Sequence, residues 1–227
     1  MSISRLMQMG AAGAGGGPEI GEAFGGGFYA GNIVEGGVEY YLIVAPKASG
    51  ESSQQFKTSD TASPAATQTL NNGPAATAAM VSAGSHPAAA FCAGLTIGGF
   101  SDWYLPARDE LEICYRNLKP TTSVNLTSDR PFSSITYPEG TDFASDTMGV
   151  NRNSSPTGAA YTTGDPAQTS VTDFVTGGTE AFASDYYWCS SEYSETRAWI
   201  PLFITGAQIG DRKSFSVYVR AVRREPV

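Results

Sequence analysis

Residues 91–111 read FCAGLTIGGFSDWYLPARDEL and carry the clearest structural signals of the chain. Trp103 is a large aromatic side chain of the kind that a core buries. Asp102 is short enough to bond neighbouring backbone amides in a turn, and Pro106 is suited to the start of a helix. We therefore expect these residues to stabilise the fold, and we expect any ligand site to lie elsewhere.

A helix is predicted directly after this stretch, and it ends at Lys119-Pro120. Asp109 and Glu110 favour the positive N-terminal end of its dipole. Apolar residues then recur at the spacing of one helix face and predict a buried stripe, made of Leu111, Cys114, Tyr115 and Leu118.

The N-terminal part of the chain predicts a β-hairpin. Residues 28–34 and 38–45 are rich in aromatic and β-branched residues and flank the turn Glu35-Gly36-Gly37. By the two-residue period of a strand, one face of the second run carries Val38, Tyr40, Leu42 and Val44. Pro46 ends this strand, and we expect the polar residues 47–70 to form a loop.

Two shorter helices are predicted before residue 91. Asn72-Gly73 precedes an alanine-rich stretch that predicts a helix up to Ala83. Gly84 interrupts this pattern. Ser85 is then expected to cap a second helical piece.

The second half of the chain alternates between irregular and extended patterns. Residues 121–185 are rich in Ser, Thr, Asp, Gly, Pro and Asn and predict long loops. Strands are predicted over residues 186–189, 198–204 and 215–222. This order of elements predicts an α+β domain whose two termini share one sheet. A solvated or interface edge is expected at Arg220, Arg223 and Arg224.

Composition and charge exclude several classes of protein. The 227 residues are 41% hydrophobic and 11% aromatic, which excludes a disordered chain. The formal net charge of −8 is repelled by phosphate backbones and anionic lipids, so we expect neither nucleic-acid binding nor membrane insertion. The longest apolar run, residues 40–45, is far shorter than the roughly 20 residues that span a bilayer. Residues 1–17 make a poor signal peptide.

The sequence does not predict an enzyme. Its single histidine, His86, stands beside Pro87 at a predicted helix start, which is a poor place for a catalytic base. No zinc-protease motif, phosphate-binding loop or dinucleotide fingerprint occurs. The three cysteines lack metal-ligand spacing, so no cofactor or metal is expected. We interpret them as buried thiols, and a disulfide between Cys92 and Cys114 stays open.

Glycine dominates the N-terminal residues. Ten of the 26 glycines lie between Gly10 and Gly31, where few side chains are present to build a core. We expect residues 1–27 to form an extended arm for docking or assembly, and residues 28–227 to form the folded domain. Because glycine loses much conformational entropy on ordering, such an arm needs a neighbouring subunit or partner. A floppy tail is the open alternative.

Residues 91–111 resemble the signature of a C-type-lectin-like domain family found in phage tail proteins and bacterial surface proteins. In that signature a cysteine and a leucine precede Gly-Gly-aromatic-Ser-Asp-Trp, then Leu-Pro and Glu-Leu. Residues 187–193, 198–199 and 218–223 are similar to the family's closing strands. The resemblance implies a C-type-lectin-like fold, with a small twisted antiparallel sheet, two main helices and long loops. The chain lacks the Glu-Pro-Asn, Gln-Pro-Asp and Trp-Asn-Asp elements of calcium-dependent lectins, so no calcium site is expected.

The chain is also similar to the domain of phage major tropism determinants, in which the last strands and their loops vary with the bacterial receptor. The matching stretch, residues 193–213, mixes aromatic, arginine and short polar residues, as binding surfaces do. The ligand-binding residues that this resemblance implies are Tyr193, Glu195, Arg197, Trp199, Gln208, Asp211, Arg212 and Lys213. Trp199 and Phe203 also lie in an apolar run that is typical of a core.

Together these features predict a phage virion protein, made in the host cytoplasm and placed in the tail fibre or tail tip. Its arm contacts other virion proteins, and its domain binds a host surface glycan or protein. A homotrimer is expected by analogy with tail fibres, since linked copies raise avidity. Two alternatives stay open: a purely structural virion protein, as a capsid decoration or tail connector with no host ligand, and a bacterial surface adhesin.

Overall fold

The computed structural model describes residues 16–128, 133–139 and 148–227. Short strands and helices alternate along these residues. In chain order they are β1 (Ala23–Phe24), β2 (Gly27–Glu35), β3 (Val38–Val44), α1 (Lys47–Gly50), β4 (Glu51–Gln55), α2 (Gly73–Ala83), α3 (Pro87–Ala93), α4 (Arg108–Leu118), β5 (Ser154–Ser155), β6 (Glu192–Ser194), β7 (Arg197–Pro201), β8 (Gln208–Arg212), β9 (Ser216–Arg220) and β10 (Val222–Pro226). Single 3-10 turns add Ala65–Thr67 and Thr172–Phe174.

The predicted hairpin is confirmed. Strands β2 and β3 pair antiparallel, with Glu35 opposite Val38 across a two-residue turn. Gly36 and Gly37 take φ angles of +59° and +80° in this turn, which side chains with a Cβ rarely adopt. The hairpin therefore depends on these two glycines.

The expectation that both termini share a sheet is also confirmed. Strand β10 pairs antiparallel with β3, and Val222 lies opposite Val44. The sheet has the order β1-β2-β3-β10. Strand β5 pairs with β2 on the edge that faces away from β3. Two smaller antiparallel sheets are formed by β4-β9 and by β6-β7-β8. The architecture is thus α+β with mostly antiparallel sheets.

The prediction that residues 47–70 form a loop is wrong in its first part. Residues 47–50 form α1, and Glu51–Gln55 form β4, which pairs with β9 so that Glu51 lies opposite Arg220. The sequence ESSQQ has no apolar alternation, because its extended form comes from pairing with a strand from the far end of the chain.

Helices α2 and α4 match their predictions closely. Asn72 accepts a hydrogen bond from the Ala75 amide at 3.2 Å, as an N-cap does. All four residues of the predicted α4 stripe are buried. The prediction that Ser85 caps α3 is wrong. His86 precedes the helix directly, and Ser85 adopts a left-handed φ of +53°.

Two apolar cores lie on opposite faces of strand β3. Leu42 and Val44 belong to a first core with α4 and Trp199, whereas Ile43 belongs to a second core. Further members of the second core are Trp103, Leu105, Trp188 and Val219. Burial of β3 on both faces explains its continuous apolar run, since a half-buried strand would alternate.

Part of the predicted arm packs on the domain. The Gly21 amide donates to the Tyr29 carbonyl at 2.8 Å, and the Tyr29 amide donates to the Glu22 carbonyl at 2.9 Å. The ring of Phe24 meets Tyr41 edge-on at 5.4 Å. Residues 16–27 therefore extend the fold, and residues 1–15 of the arm lie outside the described residues.

The C-terminal strands differ from their predicted bounds. Residues 186–189 form isolated bridges instead of a strand, with Tyr187 bridging to Tyr218. The predicted strand 215–222 divides into β9 and β10, which belong to different sheets. The described part of residues 121–185 is largely irregular, as predicted. Among the described residues no helix combines the length and apolar character that crossing a bilayer requires.

Two arginines near the C-terminus and Asp102 also depart from expectation. Arg220 and Arg223 are buried, although a solvated edge is predicted for them. Arg223 forms two hydrogen bonds to Asp102, at 2.8 and 3.1 Å. The Asp102 carboxylate thus binds a late strand instead of the amides of its own turn, because a buried guanidinium requires a charged partner.

Replacement of Trp188 by alanine tests the second core. Trp188 is fully buried and its indole N–H donates to the Gln54 carbonyl at 3.1 Å. We expect Trp188→Ala to lower the free energy of unfolding by about 3–5 kcal/mol, measured by urea denaturation, because it leaves a cavity. Phe215→Ala is the control, since that ring is 49% exposed, and its effect should stay within about 0.5 kcal/mol. Equal losses in the two variants would contradict the burial of Trp188 in the second core.

Candidate functional site

The predicted ligand-binding residues cluster on the three-stranded sheet β6-β7-β8. Tyr193 lies in β6, and Arg197 and Trp199 lie in β7. Strand β8 contains Gln208, Asp211 and Arg212. Glu195 lies in the turn between β6 and β7, and Lys213 directly follows β8. The structure therefore brings all eight residues to one sheet and its connections, although it does not expose all of them.

Two exposed arginines face each other on this sheet. Arg197 in β7 lies directly opposite Arg212 in β8. Arg197 donates to the Gly210 carbonyl at 2.9 Å, and no ion pair of either arginine occurs within the described residues. Like charges in such positions destabilise a strand pair. A pair of this kind costs stability unless something else neutralises it.

Three other predicted ligand-binding residues are also at least partly exposed. Glu195 is exposed, and half-buried Asp211 accepts a hydrogen bond from the Arg212 amide at 2.7 Å. The half-buried ring of Tyr193 meets Trp199 edge-on at 4.8 Å. Burial raises the pKa of Tyr193, and the positive charge of Arg197 opposes this shift. We call Tyr193, Glu195, Arg197 and Arg212 the arginine surface, because Asp211 lies opposite Ala198 and points to the other face of the sheet.

Glycine at position 210 allows Tyr193 to lie flat on the sheet. A Cβ atom at Gly210 would overlap the Tyr193 ring. The ring is thus held between Gly210 and Trp199 in one orientation. A rigid aromatic loses little entropy when a ligand covers it.

Three predicted ligand-binding residues are buried, and the prediction is corrected for them. Trp199 and Lys213 are 0% exposed and Gln208 is 2% exposed. The Trp199 indole donates to the Tyr137 hydroxyl at 2.7 Å. Phe203 is likewise buried and stacks on Phe182 at 4.2 Å. Their apolar run therefore builds the core, and a surface ligand does not reach them.

Lys213 forms a buried ion pair that the sequence did not reveal. Its ammonium pairs with Glu192 and donates to the carbonyls of Thr61 at 3.0 Å and Glu195 at 2.8 Å. Glu192 also accepts a hydrogen bond from the Ser63 amide at 2.9 Å. Burial lowers the pKa of Lys213, and the Glu192 carboxylate opposes this shift. The pair thereby ties residues 61–63 to the base of the arginine surface.

Helix α4 carries further buried carboxylates that hold loops. Glu112 accepts hydrogen bonds from Asn151 at 2.7 Å and Tyr161 at 2.8 Å. Burial raises the pKa of Glu112, against the opposing charge of Arg116. Asn151 also bonds the Asp109 carbonyl at 2.9 Å. These residues anchor the irregular chain after residue 148 and form no open site.

Glu110 is a buried acid at the start of α4. Its carboxylate accepts hydrogen bonds from the Tyr104 hydroxyl and the Ala107 amide, both at 2.7 Å. Burial raises its pKa from 4.5 to about 7, although the Ala107 amide and the charge of Arg224 oppose this shift. Asp109 and Glu110 were both expected to favour the helix end, and the Ala107 bond agrees with this expectation for Glu110.

A serine and the single histidine meet near α3. His86 Nδ1 lies 2.7 Å from the Gly84 carbonyl, and Nε2 lies 3.3 Å from Ser63 Oγ. Burial lowers the pKa of His86, so the neutral ring is favoured. The Ser63 amide donates to Glu192, and a carboxylate at this position would repel a developing oxyanion. This geometry opposes acyl-transfer chemistry at Ser63.

Cysteine and metal chemistry find no site in the described part of the chain. The three cysteines are free and buried, so a bridge between Cys92 and Cys114 is not formed. Burial raises the pKa of Cys189 to about 12, which keeps its thiol protonated and unreactive. Among the described residues, no three His, Cys, Asp or Glu side chains converge on a position for a metal ion.

The raised pKa of Glu110 predicts a pH dependence of stability. A carboxyl whose pKa is higher in the folded state contributes its full stability below the unfolded value of 4.5, and this contribution is lost as pH rises through about 7. Glu110→Gln keeps the shape and cannot ionise. We expect the difference between the free energies of unfolding of the variant and the wild type to shift in favour of the variant by up to about 3 kcal/mol as the pH is raised from 4.5 to 7.5. Urea denaturation at each pH measures this difference.

Glu19→Gln, at an exposed carboxylate, is the matched control for this series. Its difference from the wild type should stay nearly constant over the same pH values. A constant difference for Glu110→Gln as well would contradict the raised pKa.

Substitution of Lys213 separates a core role from a ligand role. Lys213→Met leaves Glu192 buried without a cation, so we expect a loss of about 3–5 kcal/mol in the free energy of unfolding. The double variant Lys213→Met with Glu192→Gln should recover part of this loss in a double-mutant cycle. An unchanged free energy of unfolding in Lys213→Met would contradict the buried ion pair and would favour the predicted ligand role of Lys213.

No protein-family model, no curated protein and no solved structure matches this chain. The fold itself is an α+β arrangement of mostly antiparallel sheets with few helices. A C-type-lectin-like topology therefore stays a prediction from residues 91–111 and the closing strands.

Proposed function

We propose that this chain is a phage virion protein of the tail fibre or tail tip, and that its C-type-lectin-like domain binds a host surface receptor. The single observation that carries the receptor role is the exposed pair Arg197 and Arg212 on adjacent strands. The resemblance of residues 91–111 to phage tail domains supports the virion role. The arginine surface is the contact area in this proposal.

The chemistry of the arginine surface suits recognition of a polar receptor. Each guanidinium offers several donors in a fixed plane, which fits carboxylate, sulfate or backbone carbonyl groups. The fixed ring of Tyr193 adds contact area beside Arg197. The exposed carboxylate of Glu195, in the turn before Arg197, can accept hydrogen bonds from the same ligand. A glycan and a protein loop both present such groups.

Buried interactions beneath this surface support its rigidity. Trp199 packs under Tyr193, and the Lys213–Glu192 pair holds the turn that carries Glu195 through its carbonyl. A surface that is rigid before binding loses less conformational entropy when the ligand arrives. Several copies in one tail would multiply a weak single contact. The arm would dock the domain to other virion proteins, as a homotrimer in this proposal.

Cell binding tests the proposal. The purified chain, fluorescently labelled, should bind saturably to cells of a bacterial strain that the phage infects. The double variant Arg197→Ala with Arg212→Ala is expected to raise the apparent Kd at least about tenfold, since arginines at interface centres carry much of the binding energy. Arg152→Ala, at an exposed position away from this sheet, controls for the loss of positive charge.

Two results would count against the receptor role. One is the absence of saturable binding to any susceptible strain, and the other is equal binding by the wild type and the double arginine variant. Electron microscopy with a labelled copy adds the location. A label on the distal tail supports the proposal, whereas a label on the capsid shell or tail tube would favour the purely structural alternative.

A further inference from the structure

A cavity of about 420 Å³ lies between the β2-β3 turn and the chain before α2. Its polar lining consists of Glu35, Gln68, Thr69, Asn71, Asn72 and Glu139. Small residues such as Ala65, Ala66, Ala75 and Pro138 complete the wall. It shares no lining residue with the arginine surface. Its volume falls within the range of roughly 300–1,000 Å³ that is usual for small-ligand sites.

The side chains of Thr69, Asn71 and Asn72 in this lining each donate a hydrogen bond within the protein. Asn71 Nδ2 donates to the Val34 carbonyl at 3.0 Å, and Asn72 Nδ2 donates to Glu35 at 2.9 Å. The Thr69 hydroxyl donates to Glu139. Among the described residues the carboxamide of Gln68 makes no side-chain hydrogen bond, and the amides of Asn71 and Asn72 each keep a second N–H.

Acceptors are in surplus. Glu139 Oε1 accepts from Thr69 and from the Leu70 amide at 3.4 Å, whereas the buried Glu139 Oε2 has no hydrogen-bond partner among the residues that the structure describes. A carboxylate oxygen left without a donor is costly. Glu35 is compensated by Arg224 at 3.4 Å, but no cation pairs with Glu139 in the described part of the chain. Counting the described residues alone, the lining therefore carries one uncompensated negative charge.

We infer that this cavity binds a primary ammonium group carried on a short aliphatic chain. An ammonium has three donors and a positive charge, which matches a lining with two carboxylates of which, among the described residues, only Glu35 is paired with a cation. Its charge neutralises Glu139, and charge-assisted hydrogen bonds are the stronger kind. The alanine and proline wall fits the methylene groups. Sugar hydroxyls match less well, because they carry no charge that could neutralise Glu139.

The cavity wall is held by the same buried acid that supports the arginine surface. Glu192 accepts a hydrogen bond from Ser63, just before the turn that contributes Ala65, Ala66 and Gln68. Glu35 on the opposite wall is held by Asn72 and Arg224. The cavity is thus bordered by fixed groups on two sides. This inference does not depend on the receptor role, since it concerns other residues.

Titration with defined probes tests the inference. At constant ionic strength, n-butylammonium is expected to shift the NMR signals of the side-chain amides of Gln68, Asn71 and Asn72. 1-Butanol has the same chain without the charge and should not shift them, and methyl glucoside supplies the hydroxyl-rich comparison. Glu139→Gln keeps an acceptor for Thr69 and should weaken n-butylammonium binding about tenfold, the effect of losing a charged hydrogen bond. Glu19→Gln is the matched control.

A lysine probe distinguishes the two sources of such a group. Tighter binding of Nα-acetyl-lysine methylamide than of n-butylammonium would identify a lysine side chain of a partner polypeptide. Equal or weaker binding would identify a free amine. Either result supports the ammonium assignment.

Three results would overturn the assignment. They are no amide shift with either amine, equal shifts with 1-butanol or methyl glucoside, and an unchanged affinity in Glu139→Gln. If that variant does not fold, the salt dependence of the unaltered chain decides. Affinity for n-butylammonium should fall as NaCl is raised, and an affinity that does not fall would reject the charge interaction. Loss of cell binding by the arginine variant leaves this result untouched, so the two proposals fail separately.

Discussion

The fold depends on the pairing of strand β10 beside β3. Val222 lies opposite Val44 in this pairing, and its other edge bonds Tyr104, with N–O distances of 2.8 and 3.0 Å. One late strand thus joins the N-terminal hairpin to the chain that precedes α4. Because β3 is buried on both faces, the same pairing separates the two cores.

Buried charges take over where regular hydrogen bonding ends. The long segments after α4 have few strand or helix ladders, so their backbone groups need other partners. Lys213 and Arg220 supply some of them: Lys213 donates to the Glu195 carbonyl at 2.8 Å, and Arg220 donates to the Glu180 carbonyl at 2.6 Å. Such charges are stable when paired and fully hydrogen-bonded. This explains why a chain with only 16% charged residues buries several of them.

The two proposed binding regions follow from this arrangement. The arginine surface is the exposed part of a sheet that also contributes buried residues to the core. The cavity lined by Glu35 and Glu139 lies between the β2-β3 turn and the chain before α2. Glu192 contributes to both, through Lys213 on one side and Ser63 on the other. A ligand in either region would therefore meet side chains that are already fixed. Opposite charge preference separates them, since one offers guanidinium donors and the other carboxylate acceptors.

Local pattern alone was sufficient for the hairpin, for α2 and α4, and for the burial of Trp103, because turn glycines, helix caps and apolar spacing act within a few residues. The α+β class and the shared terminal sheet followed from the order of these elements. Strand β4, the division of β9 from β10, and the burial of Lys213 depended on partners more than 15 residues away. Residue type predicted a polar surface at these positions. Tertiary packing buried them instead, because a paired charge or a paired backbone satisfies its hydrogen bonds without water.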